Sequence, residues 1–498
     1  MRPTREALFG PSGTPRVAIV GAGFGGIAMG VMLRRAGVET FTIYEASLGI
    51  GGTWWDNTYP GCEVDVGSCL YCFSFKPGGW TRTHARQPEL QKYLEETVDD
   101  FDLRRHLRLG VAVESAAWDD RAHTWTVRLE NGTVDECHVL VSAVGFLNVP
   151  RYPDWPGLED FAGPAFHTAR WEHQHDLAGK VVAVVGTGSS ATQIVPTIQP
   201  TVSQCYVFQR APGWVLPKGE RDLTADEQAT LARRWPRVRE RWRLKYLLEK
   251  SLWNGRIWRP GTRANLAREQ LCRDYIARKF ADRPDLRDAV TPSYPYPGKR
   301  PIFASTYYSA LKKNNVTLVP HGVASVTRTG IVDATGQEHA VDVIVMATGF
   351  RAASYLSRLA VVGRDGRTLH ECWDGEPHAF LGITVPEFPN FFMLYGPGTN
   401  GGDIVSMLEA QAEYVVRAVR RMRREHVTAV EVRPRVEAWW TRWLQSTMTG
   451  TSWTATRNYF TAPSGRVVTQ WPYGNLMYRA LTKLLGSMSE STSLREGA

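Results

Sequence analysis

Two short runs of small residues carry the first recognisable chemistry in this 498-residue chain. Gly21-Ala22-Gly23-Phe24-Gly25-Gly26 puts glycine at Gly21, Gly23 and Gly26, and Gly186-Thr187-Gly188-Ser189-Ser190-Ala191 repeats the spacing with Ala191 last. Small residues so spaced permit a tight turn, close approach of backbone to a pyrophosphate, and close packing of a helix on the preceding strand; alanine still serves the last purpose. Phosphate oxygens then meet a helix N-terminus. The two runs differ at the end of the next strand. Glu45 stands there after the first, where a carboxylate accepts hydrogen bonds from ribose hydroxyls, whereas Arg210 holds the matching place after the second, where a guanidinium suits a 2′-phosphate. An arginine capping a strand edge is the plainer alternative for Arg210. One free ribose and one phosphorylated ribose suggest FAD and NADPH, with Thr187, Ser189 and Ser190 joining the second site. Such a pair moves hydride to a flavin without saying where the electrons go next.

Positioning these residues requires two βαβ units. A strand Arg16–Gly21, a helix Ile27–Ala36 and a strand Thr40–Tyr44 frame the first turn; a strand Lys180–Gly186, a helix to about Ile198 and a strand Cys205–Gln209 frame the second. Two further apolar segments, VLVSAVGF at 139–146 and VIVMATGF at 343–350, break alike at Gly-Phe, each expected to close one cofactor unit. Between residues 223 and 290 the chain is Arg-rich with helical spacing, as in Ala229–Arg233, Arg237–Arg243 and Ala264–Phe280. The expected class is α/β, two dinucleotide-binding (Rossmann-like) domains with a helical insertion in the second. The boundaries are 1–147 and 336–498 for a discontinuous FAD domain, 148–222 and 291–335 for the NADPH domain, and 223–290 for the insertion.

The net charge of +9 suits polyphosphate cofactors, nucleic acid or an acidic membrane, but the basic residues form no compact block with an RNA-binding signature, which argues against nucleic acid. No stretch has the length and apolarity of a membrane span. Seven cysteines, an odd and sparse set, fit a reducing cytoplasm with no signal peptide ahead of the first strand. Cys69 and Cys72 have C-x-x-C spacing without a second pair, so thiols packed near a cofactor are expected and no metal site.

The segment Phe161-Ala162-Gly163-Pro164-Ala165-Phe166-His167-Thr168-Ala169-Arg170-Trp171 resembles the F-x-G-x-x-x-H-x-x-x-W fingerprint of Baeyer–Villiger monooxygenases, although Glu172 comes next where the family usually has Pro or Asp. Residues 51–65 (GGTWWDNTYPGCEVD) are similar to the family's G-G-x-W-x4-[FY]-P-G-x3-D pattern, and residues 347–350 and 389–400 add to the likeness. Membership would imply that reduced flavin and dioxygen give a C4a-peroxyflavin, which attacks a ketone and yields an ester or lactone plus water.

The resemblance also implies roles. Lys299-Arg300 resembles the family's K-R pair, so Lys299 is expected at the 2′-phosphate and Arg300 over the flavin, where a permanently charged guanidinium would steady the peroxide. Asp65 is the expected acidic partner of Arg300, its plainer reading being a structural ion pair. Gly52, Thr53, Trp54, Trp55, Asp56, Tyr71 and Val113 carry over as FAD contacts; the aromatic ones could equally be core. His167 and Trp171 would couple the two nucleotide domains, with His167 read as a satisfied interdomain histidine and not a proton shuttle. Residues 396–398 and a helix near Ile404–Val416 would aim a helix N-terminus at the flavin ring. An N- or S-oxygenating flavin monooxygenase is the nearest alternative, and a non-catalytic flavoprotein redox module the next. The physiological ketone and the oligomeric state are not encoded in any motif.

Overall fold

The computed structural model describes residues 4–456 and 458–492. Two five-stranded parallel sheets dominate it. The first runs, edge to edge, Phe391–Met393, Val139–Ser142, Val17–Val20, Phe41–Glu45 and Leu107–Leu109. The second runs Val316–Val319, Gln204–Phe208, Val181–Val185, Val343–Met346 and Ala165–His167. Their central strands are short and apolar apart from Ser142, VAIV and VLVS in one, VVAVV and VIVM in the other, as suits parallel strands covered on both faces. Helices Phe24–Arg35 and Ser189–Ile198 return from the glycine turns.

A four-stranded sheet, Ala360–Val362, Val113–Asp119, Thr124–Leu129 and Val134–Cys137, attaches to the first unit, and a three-stranded one, Val323–Val326, Gly330–Asp333 and Glu338–Ala340, to the second. Between residues 223 and 290 the chain forms α-helices Ala225–Ala232, Arg234–Leu252, Arg263–Lys279 and Pro284–Val290.

One boundary differs from expectation. Val343–Met346 pairs with Val181–Val185 on one side and Ala165–His167 on the other, so the second unit extends past residue 336. The chain is back in the first unit by Ala360–Val362, which pairs with Val113–Asp119, and by Phe391–Met393. An apolar four-residue strand fits the interior of either sheet, and its composition holds nothing that selects one.

The units meet along the loop at 57–65. Gly61 has φ +83°, and a Cβ there would stand 2.3 Å from Thr197 Oγ1 and 2.7 Å from the Gln193 carbonyl oxygen, so only glycine lets this loop lie against helix Ser189–Ile198. Gln193 ties the loop down: its Oε1 accepts from the Tyr59 hydroxyl at 2.9 Å and from the Glu63 N–H at 3.3 Å, and its Nε2 donates to the Glu63 carbonyl at 3.0 Å. Lys218 of the second unit, 1% exposed, pairs with Glu63 at 2.8 Å.

Removing one member of a buried pair leaves the other charge desolvated, at about 3–5 kcal/mol. Lys218→Met is therefore expected to lower the unfolding free energy of the cofactor-loaded protein by that order, read as a lower denaturant midpoint at unchanged slope, and Lys218→Met/Glu63→Gln to recover most of the loss. A double variant no more stable than the single one would contradict this account of the interface.

Candidate active site

Glycine shapes both nucleotide turns sterically. Gly21 has φ +106° and lies so close to the next strand that a Cβ would come within 2.8 Å of the Ala143 carbonyl oxygen; at Gly26 a Cβ would stand 1.9 Å from the Gly21 oxygen. The second turn repeats this at Gly186, φ +119°, with 2.4 Å to the Ala347 oxygen, while Ala191 is fully buried in the helix packing. Nothing lies within 4 Å of the Cβ position at Gly188, which leaves that side open to a ligand. Both helices start from a glycine, Gly23 or Gly188, that offers no side-chain acceptor to the first-turn amides. Those N–H groups are thus left for phosphate oxygens, and both turns fit a dinucleotide.

Glu45 is buried at the first turn, accepting from the Ala22 and Ser47 N–H groups at 2.8 Å each. These bonds fix the carboxylate and leave lone pairs for ribose hydroxyls. The segment that begins at Gly51 folds onto the same place. Gly51 N–H donates to the Ala22 carbonyl, and Gly52, at φ +57°, packs backbone to backbone on Gly23, from whose Cα an added Cβ would lie 3.2 Å. Thr53, Trp54, Trp55 and Asp56 then make one helical turn. Trp54 is buried and donates from Nε1 to the Tyr71 hydroxyl at 3.2 Å; Trp55 is exposed. Burial raises the Tyr71 phenol to about 12. Asp56 forms an ion pair with Arg170 at 2.9 Å, so its carboxylate faces the fingerprint segment. Val113 is buried at the start of its strand. Ser190 turns its hydroxyl to Tyr59 at the domain contact, and Thr187 and Ser189 line the partly open second turn.

Arg210 is exposed, and Lys299 stacks its ammonium 5.0 Å from the Tyr294 ring. Burial lowers the Lys299 pKa and the neighbouring Arg210 charge lowers it further, so these two cations share one locality. Two cations in one locality, with no carboxylate among the described residues paired to either, repel each other, and an anion such as a 2′-phosphate would relieve that repulsion.

Beside them Arg300 donates from Nη2 to Asp65 Oδ2 at 2.8 Å, across 235 residues of sequence. Its side chain is 41% exposed, yet protein groups ring it. Burial works against the charge, but Asp65, Tyr459 and Tyr395 outweigh it and raise the Arg300 pKa, so the guanidinium stays charged. Asp65 Oδ1 is buried without a hydrogen-bond partner. An orphaned acceptor beside a half-open guanidinium marks a place where a hydrogen-bonding group belongs. Tyr459 carries no motif, and Tyr395 lies in the 389–400 segment, whose resemblance gives it no role; their place beside Arg300 shows only when the chain folds back from its C-terminal third.

His167 is fully buried. Nε2 donates to the Gly349 carbonyl at 3.0 Å, Nδ1 accepts from the Ala169 N–H at 3.1 Å, and burial lowers its pKa to about 4. Both ring nitrogens are satisfied on a neutral imidazole. Trp171 packs edge-on against Phe166 with centroids 5.0 Å apart.

Helix Ile404–Glu425 occupies the expected place, but Asp403 caps it, accepting from the Val405 and Ser406 N–H groups at 3.1 and 3.4 Å. Its own cap thus takes up first-turn donors that the expectation had aimed at a ring. Cys69 and Cys72 are free thiols; Arg241 donates to both carbonyls at 3.2 and 3.0 Å, and burial pushes the Cys69 thiol up to about 11.

Comparison with known proteins places the chain in a family. Residues 14–234 match the flavin-binding monooxygenase-like family. A Baeyer-Villiger monooxygenase of Pseudomonas aeruginosa is 40% identical over 476 residues, 94% of this chain and 89% of that protein. An oxidized steroid monooxygenase bound to NADP superposes with a TM-score of 0.87 at 29% identity, covering 96% of this chain and 99% of that one. A cyclohexanone monooxygenase from Rhodococcus sp. Phi1 bound to NADP+ does so at 0.85 and 31%, covering 96% and 99%.

Gly26→Ala cannot be built without moving the Gly21 carbonyl. It is expected to cut the fraction of chains purified with a dinucleotide in the first site by about tenfold or more, measured as nucleotide released on denaturation per mole of protein, and an unchanged ratio would count against this placement.

Proposed function

The chain belongs to the Baeyer–Villiger monooxygenase family, an NADPH- and FAD-dependent oxidoreductase group, and on that premise we propose how its own residues divide the oxygenation of a ketone to an ester or lactone. The first glycine turn, with Gly21, Gly23, Gly26, Glu45 and Gly52, holds the FAD pyrophosphate and ribose. The second turn holds NADPH, with Arg210 and Lys299 on its 2′-phosphate. Bound FAD supplies the redox chemistry, accepting hydride from NADPH and activating dioxygen.

The observation that carries the reading is the clamped, permanently charged Arg300. Asp65 fixes the direction of the guanidinium and leaves its remaining N–H groups pointing elsewhere. A preorganised cation lowers the barrier where negative charge develops on oxygen during attack at a carbonyl, at about 3 kcal/mol per donor. An arginine also yields no proton at working pH, so it can stabilise an anion without quenching it. Tyr395 and Tyr459 stand near enough to the guanidinium to favour its charged form. His167, with its one N–H held by the Gly349 carbonyl and its other nitrogen accepting from Ala169, is not placed as a proton shuttle and acts by joining the Trp171 segment to residue 349 of the second sheet's crossover. A ketone is favoured as substrate because the steroid and cyclohexanone monooxygenases share the fold over almost their whole length.

Arg300→Ala is expected to lower turnover of a cyclic ketone by about a hundredfold or more, while stopped-flow reduction of bound flavin by NADPH changes little. Lactone formation at the parent rate would refute the role of Arg300, and a protein that converts thioethers but no ketone in a panel would refute the reaction class. Arg210→Ala should raise KM for NADPH by about tenfold and leave KM for NADH nearly unchanged, because only NADPH carries the phosphate; equal effects on both would place Arg210 elsewhere.

A further inference from the structure

Helix Arg234–Leu252 breaks the usual rule that a helix on a protein surface turns its polar side outward. Its inner side is held firmly. Arg241 donates to the Cys69 and Cys72 carbonyls and Leu252 is buried, while near the C-terminal end Glu249, seven residues after Trp242, is covered by the chain at Leu476, whose N–H it accepts at 3.1 Å. The helix therefore cannot roll to hide its outer side. That outer side carries Trp235, Trp242, Tyr246 and, just past the last turn, Trp253, which are 73%, 60%, 63% and 67% exposed. Successive separations of seven, four and seven residues put all four rings on one face. They form a line about 27 Å long at 1.5 Å per residue.

Cations interleave with the rings. Arg239 and Lys250 are exposed on the same face, the Arg234 guanidinium lies 5.4 Å from the Trp235 ring, and the Lys245 ammonium 5.8 Å from Trp242. The helix holds seven Lys or Arg against two Glu, one of them the buried Glu249. Four large rings left in water on a rigid face call for a partner. The charge selects which kind. A second copy of this chain meeting the face symmetrically would set the same cations against each other, whereas an anionic partner is attracted. Indole and phenol rings with Arg and Lys between them are suited to the headgroup layer of a bilayer, where ring bodies enter the acyl boundary and cations meet phosphate.

We propose that the outward face of helix Arg234–Leu252 docks on the surface of an anionic phospholipid bilayer. The attachment is peripheral: among the described residues no helix is long and apolar enough to cross a membrane. The inner side of the same helix lies on the Cys69–Cys72 loop that carries Tyr71, so a docked protein holds its candidate active site near an apolar phase from which a ketone can be drawn.

The test is co-sedimentation of the FAD-loaded protein with vesicles of equal parts phosphatidylcholine and phosphatidylglycerol, against vesicles of phosphatidylcholine alone. Binding is expected to the anionic vesicles, to weaken with added salt, and to fall about fivefold for each of Arg239→Gln and Lys250→Gln. Trp242→Gln/Tyr246→Gln should reduce binding by about tenfold or more, while turnover of a water-soluble ketone without vesicles stays at the parent level, which excludes misfolding. No partition to anionic vesicles, or partition unaffected by the ring substitutions, overturns the proposal. So does a concentration-dependent dimer in analytical ultracentrifugation that the ring substitutions abolish, which would give the face to a second copy.

Discussion

The arrangement depends on one charge held in place by residues far apart in the chain. Arg300 follows the helical insertion and precedes the short strand Ile302–Phe303, whereas Asp65 ends a loop of the first nucleotide unit. An arginine on a flexible segment would spread its charge over many rotamers, and each would be solvated differently. The Asp65 contact removes that freedom and, through its unpartnered Oδ1, leaves one acceptor still to be used. Exposed ion pairs contribute little to stability. This one sits where two units converge, and its value lies in orientation.

The same loop links that charge to the second unit mechanically. Between Tyr59 and Asp65 the chain is fastened to helix Ser189–Ile198 by Gln193, to Lys218 by Glu63, and by the close approach at Gly61. Helix Ser189–Ile198 begins at the second glycine turn, so a shift of that turn on binding a nucleotide reaches Asp65 through a few rigid contacts. On the other side Asp56 meets Arg170 and Thr58 Oγ1 meets His173, which brings the fingerprint segment into the same assembly.

Much of this was legible from residue order. The glycine turns, Glu45, the opposing Arg210 and both βαβ units follow from local spacing, because the backbone conformations they need are local. Asp65 and Arg300 were identified as partners only through resemblance, since nothing within 235 residues of intervening chain specifies that they meet. Tyr459 and Gln193 escape sequence reasoning for a similar reason: an isolated Tyr or Gln has no pattern, and its importance comes from what folds against it; Tyr395 lies in a segment that resembles the family, but nothing in that segment shows that it faces Arg300. The boundary at 336 failed because VIVM reads identically as a strand of either sheet. The helix at Ile404 was foreseen, but not its cap, because Asp403 could equally have been a loop carboxylate. The outward rings of Arg234–Leu252 were passed over as helical spacing, since periodicity counts apolar residues without telling which side is covered.

The interior place of Val343–Met346 bears on how such a chain comes to be built. On the ribosome, Val181–Val185 emerges long before the strand that must lie beside it, and Ala165–His167 has no other neighbour in the sheet. The second sheet can therefore gain its strand between Val181–Val185 and Ala165–His167 only after the whole insertion has been synthesised.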